Sequence, residues 1–161
     1  MAENLGVTVD TVIESAQSNQ TVKVNNDATL TIASGAQLNA DFLGAGNDNY
    51  FADPANAGEG GAVVVNGTAN VRQASANNGG ELTVAAGGKL NASETIAVEK
   101  GEIAEGTAGK MVVNGDVEST FLNVFNGGSV EIGATGSVVL RQHETDQVQL
   151  NLWGRWKQRD R

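Results

Sequence analysis

Apolar residues in this chain recur two apart, in short runs, and seldom at helical spacing. The pairs Leu30/Ile32, Val63/Val65, Leu82/Val84, Met111/Val113 and Val130/Ile132 each enclose one residue, here Thr31, Val64, Thr83, Val112 or Glu131. A spacing of two puts both members of a pair on one face of a β-strand. Five stretches align on these pairs: ATLTIASGAQLNA (28–40), AVVVNGTANVRQA (62–74), GELTVAAGGKLNA (80–92), GKMVVNGDVESTF (109–121) and GSVEIGATGSVVLR (128–141). In each, the pair leads into a Gly-containing turn and then into further apolar positions. Asn-Gly occurs at 66–67, 78–79, 114–115 and 126–127. Both residues tolerate positive φ, so the dipeptide marks tight turns between strands. The nearest approach to a helix, VTVDTVIESAQS (7–18), reads equally well as a strand followed by a cap.

The pattern predicts an all-β single domain. Strands of three to five residues with small-residue corners fit a short parallel β-solenoid better than a sandwich, whose strands are longer and whose core draws on aromatics. Composition agrees: only 4% of the 161 residues are aromatic and 21 are Gly, while Val, Ile, Leu and Ala suit a narrow interior. Val63 to Leu82 and Met111 to Val130 are each 19 residues apart, but Leu30 to Val63 is 33 and Leu82 to Met111 is 29. The period is therefore irregular, and insertions must loop out. The expected organisation is an N-terminal cap over 1–19, a solenoid over 20–142 with an outward loop at 43–61, and a distinct C-terminal tail over 143–161.

TVKVNNDATLTIASGAQLNA (21–40) and GGELTVAAGGKLNASETIAVEKG (79–101) resemble rungs of autotransporter passenger domains, which are right-handed parallel β-helices. The resemblance covers roughly residues 20–140. Short solenoids of similar texture occur in phage spikes, fibres and capsid decorations, and in bactofilin filaments. The resemblance implies a right-handed parallel β-solenoid with a structural or adhesive role. Neither a secretion signal in the opening MAENLGVTVDTVIES nor a downstream membrane β-barrel is evident in this sequence, so the expectation is either a chain not secreted by that route or one whose signal has been removed.

Charge divides the chain in two. The formal net charge is −9, yet LNLWGRWKQRDR (150–161) carries four basic residues and one acid, which leaves −12 on the rest. An acidic body repels phosphates and anionic lipid, so nucleic acid is not an expected partner. No apolar run is long enough to span a membrane as a helix. The tail also holds both tryptophans. Trp153 and Trp156 read as anchors and Arg155, Lys157, Arg159 and Arg161 as groups that meet an acidic neighbour, so the segment either caps the last rung or docks on another subunit.

Candidate chemistry is sparse. LGAGNDNYFADPANAGEGG (43–61) holds one partial match to a calcium-binding Gly-Asp nonapeptide, through Gly44, Gly46 and Asp48. Such sites share each ion between two consecutive repeats, and FADPANAGE does not continue the pattern. Calcium wants six to eight oxygens, of which Asp48, Asp53 and Glu59 supply only some. The expectation is a projecting loop, with Asp48 and Asp53 as weak metal candidates and no cofactor. His143 is the lone histidine and there is no cysteine, which excludes a His- or Cys-based zinc cluster and a Cys nucleophile. Glu81, Glu94, Glu99, Glu102, Glu105, Asp116, Glu118 and Glu131 fall at scattered outward positions, as in a solvated acidic face.

The expected function is therefore non-enzymatic. A structural or assembly protein of a virion surface (fibre, spike or capsid decoration) leads, as a homo-oligomer or within a heteromeric assembly. An adhesin passenger fragment at the bacterial cell surface, contacting a glycan or receptor, is the alternative. A polysaccharide-active β-helix enzyme comes third.

Overall fold

The computed structural model describes residues 3–46, 60–100 and 108–141, and the backbone of 150–152 and 155–157. These residues form no helix. They form fifteen strands: β1 (Glu3–Val7), β2 (Thr11–Ile13), β3 (Ala16–Val24), β4 (Thr29–Ile32), β5 (Gln37–Ala45), β6 (Ala62–Val65), β7 (Thr68–Ala76), β8 (Glu81–Val84), β9 (Lys89–Val98), β10 (Lys110–Val113), β11 (Asp116–Val124), β12 (Ser129–Ile132), β13 (Ser137–Leu140), β14 (Leu150–Leu152) and β15 (Arg155–Lys157). Up to β13 the odd strands line up in one sheet, in chain order, and β14 joins that sheet beside β11. The even strands from β2 to β12 and then β15 make the second sheet, also in chain order. Pairing is parallel throughout. The chain thus alternates between two parallel sheets, an arrangement consistent with a β-solenoid.

Register explains why the apolar pairs recur. Leu30, Val63, Leu82, Met111 and Val130 stand side by side across neighbouring strands, as do Ile32, Val65, Val84, Val113 and Ile132. All ten are buried, at 0–5% exposure, so the leading pairs do point into one core. Between them Thr31, Val64, Thr83, Val112 and Glu131 form an outward column.

The long strands of the first sheet depart from the expected three to five residues. They run to nine or ten because each is two straight segments joined at a bend. In β5 the inward residues are Leu38 and Ala40, then Leu43 and Ala45, so the alternation slips by one at Asp41 and Phe42. Register shifts fall at the equivalent places in β7, β9 and β11, between Val71 and Gln73 and between Ser119 and Phe121. A bulge bends the strand and re-aims its side chains, so one continuous strand lines two walls of the core.

The irregular spacing resolves into an alternation. Between the second sheet and the first, two-residue corners (14–15, 66–67, 114–115) alternate with four-residue turns (33–36, 85–88, 133–136). The short corner tucks into the turn before it. The amides of Asn66 and Gly67 both donate to Ile32, and those of Asn114 and Gly115 both donate to Val84. On the return side, four-residue turns (25–28, 77–80, 125–128) alternate with the long connections 46–61 and 99–109. The structural repeat is therefore two turns of chain.

Two boundaries read from sequence move. Residues 43–45 do not leave the core: they belong to β5, Leu43 and Ala45 are fully buried, and Gly44 pairs with Lys23 and Ser75. Gly46 is the first residue past the strand, with φ +80, and a Cβ there would overlap the Asn77 carbonyl oxygen. The glycines read as a metal-loop signature thus end a strand under close packing. Residues 47–59 lie outside the described residues. At the other end, β1 and β2 occupy the stretch expected as a cap, and they pair with β3 and β4 as the first strands of the two sheets.

Candidate functional site

The tail singled out by charge contributes backbone to both sheets. Leu150 and Leu152 are in register with Leu122 and Val124, which are buried. Trp156 is in register with Val130, also buried, while Arg155 and Lys157 align with Ser129 and Glu131 of the outward columns. The apolar alternation of LNL and the Arg-Trp-Lys sequence therefore match the inward–outward period of the strands they join. Trp153, Arg159 and Arg161 lie outside the described residues, as do the weak metal candidates Asp48 and Asp53 and the lone His143.

Sequence reasoning did not foresee a charged cluster at the bend of the long strands. Arg72 stands between Asp41 and Glu94, one strand away on either side. Its Nε and Nη2 donate to the two Asp41 carboxylate oxygens at 2.8 and 3.1 Å, and its Nη1 donates to Glu94 Oε2 at 2.8 Å. Gln73 Nε2 donates to the other Glu94 oxygen at 3.0 Å. The hydrogen bonds from Arg72 hold both carboxyls below the usual carboxylate range, and those to Asp41 and then Glu94 raise the guanidinium. The three residues are 31 and 22 positions apart in sequence, so only the strand register reveals the cluster.

Beside it runs a ladder of carboxamides. Asn39, Asn70 and Asn91 are in register on β5, β7 and β9. Asn70 Nδ2 donates to Asn39 Oδ1 at 3.1 Å, and Asn91 Nδ2 donates to Asn70 Oδ1 at 2.8 Å. Stacked amides of this kind tie each strand to the next along the outer face.

Apart from Asp41 and Glu94, which meet at Arg72, the acids among the described residues stay scattered. Glu81 accepts from Thr83 on its own strand, and Glu118 pairs with Arg141. Among the described residues no three His, Cys, Asp or Glu side chains are grouped as metal ligands. A general acid at neutral pH needs its pKa raised, whereas Asp41 and Glu94 are shifted the opposite way. What the cluster can do is clamp: a bidentate guanidinium fixes three strands at their bend and presents a polar outer face. No family model matches the chain, and neither a curated protein nor a solved structure matches it at a significant level.

Proposed function

We propose that the chain is a non-catalytic structural subunit of a virion surface assembly, built as a short right-handed parallel β-solenoid whose long connections project as loops and whose basic tail joins neighbouring subunits. The observation that carries this reading is the position of the tail: the most basic segment of the chain includes Arg155–Lys157, which form the outermost described strand of one sheet. A parallel-sheet edge offers unpaired backbone groups, which proteins cover or use for contact. Here that edge combines them with cations, and the remainder of the chain is strongly acidic. Complementary charge of this kind orients subunits and rejects wrong partners.

The supporting body is stiff for a physical reason. Inward columns made mostly of Val, Leu, Ile and Ala run from strand to strand, with Ser119 as a buried polar member, and each interior strand hydrogen-bonds to both neighbours. Such stacks resist bending and hold their outward side chains at fixed spacing. The test is mass spectrometry of purified virions from the source that encodes the chain. The proposal expects its peptides at stoichiometric levels. Their absence from virions, with recovery from washed cell envelopes instead, would favour the adhesin reading.

A further inference from the structure

The four Asn-Gly pairs are identical in sequence but differ in what holds them. At 66–67 the Asn66 and Gly67 amides donate to Ile32 O at 2.9 and 3.0 Å, and Gly67 is buried. At 114–115 the Asn114 and Gly115 amides donate to Val84 O at 2.8 and 3.0 Å, and Gly115 is buried. At 78–79 the Asn78 side chain is buried, its amide donates to Lys100 O, and its carbonyl accepts from Gly60. The fourth pair, Asn126-Gly127, is exposed at both residues and makes none of these backbone bonds. It occupies the middle of a turn closed by Gly128 N donating to Phe125 O at 3.0 Å, with φ +50 and +84.

We propose that Asn126 is a site of spontaneous deamidation and isoaspartate formation in the folded protein, and that the fold protects the other three pairs. Asparagine is chemically labile, and a following glycine has no Cβ to hinder approach of its backbone nitrogen. In the reaction the Gly127 nitrogen loses its proton to water and bonds to Asn126 Cγ. The Cγ–Nδ2 bond breaks and ammonia leaves, giving a five-membered succinimide. Water then adds to either ring carbonyl and reopens the ring to aspartate or isoaspartate. Water is the sole co-reactant, and the net change is Asn plus water to Asp plus ammonia.

Together the two requirements single out one turn. The attacking amide must not be committed to another acceptor, which disfavours Gly67 and Gly115. The carboxamide must meet water, which disfavours Asn78. Asn126 satisfies both. The product adds one negative charge to a chain already at −9, and the isoaspartate form lengthens the backbone of a four-residue turn beside the next strand, β12.

The experiment is peptide mapping by mass spectrometry of the whole protein aged at mildly alkaline pH, folded and, in parallel, unfolded in denaturant. In the folded sample, conversion at Asn126 should exceed that at Asn66, Asn78 and Asn114 by on the order of tenfold or more, because those sites react only after local opening. In denaturant all four should convert at similar rates. Folded-state conversion led by another pair, equal at all four, or absent at Asn126 while the unfolded chain reacts would overturn the proposal.

Discussion

Truncation of Leu82 to alanine probes the packing on which the whole arrangement rests. Leu82 is fully buried, in the middle of the column that includes Val63 and Met111 on the adjacent strands. Losing three carbons from water-free surroundings costs about 2–2.5 kcal/mol in transfer alone. The void adds to this. Val63 and Met111 are fixed by the ladders on either side and cannot move in to fill it, so the total should fall in the range of about 3–5 kcal/mol. On the same strand, Thr83 is half-buried, points outward and its hydroxyl donates to Glu81. Thr83→Ala should cost under about 1 kcal/mol. Equilibrium denaturation followed by circular dichroism reads both, with the slope against denaturant checked for loss of cooperativity, since stacked repeats can unfold in parts. Equal costs for the two substitutions, or a small cost at Leu82, would refute the assignment of inward and outward faces.

Other expectations follow from named contacts. Gly46→Ala should destabilise by more than about 3 kcal/mol, since its Cβ would overlap the Asn77 carbonyl, whereas Gly35→Ala meets nothing within 4 Å and should cost only the ~1–2 kcal/mol of a left-handed backbone; thermal melts compare them. Because the carboxyls of Asp41 and Glu94 titrate below their ordinary values, their contribution is present above the usual carboxylate range and is lost as the pH falls through the lowered values. Arg72→Gln should therefore flatten the acid limb of the stability profile below about pH 4, and added salt should shrink the difference because the cluster is exposed. A chelator should leave the melting temperature unchanged; a large drop would assign calcium to the segment that holds Asp48 and Asp53.

The second sheet was legible because its strands keep a strict period of two and end in Gly turns. Leu30/Ile32 and its four counterparts needed no more than alternation to identify. The first sheet was harder for two reasons. Its inward positions include Ala69, Ala74, Ala76 and Ala92, which carry little hydrophobic signal. Its alternation also slips by one at the bends of β5, β7 and β11, so Leu43, Ala74 and Leu122 fall out of phase with Leu38, Ala69 and Val117, while β9 inserts two residues between Ala92 and Ile96. The 33- and 29-residue gaps looked irregular only because single turns were compared; the two-turn repeat makes them equivalent. Asn-Gly did mark turns, but of two kinds: two-residue corners at 66–67 and 114–115, and centres of four-residue turns at 78–79 and 126–127. The Arg72 cluster was illegible because its partners meet only once register is known.

Assembly through the tail is the central claim, and deleting 150–161 would test it poorly, since that removes β14 and β15 from their sheets. Reversing charge keeps the strands: Arg155→Glu with Lys157→Glu changes two residues aligned with the outward positions Ser129 and Glu131. Sedimentation equilibrium of the unaltered chain and of this double variant, with melting curves to confirm that both fold, is the most direct measurement. The account predicts an oligomer for the first and a folded monomer for the second. A monomeric unaltered chain, or a variant that keeps the oligomeric mass, would contradict it.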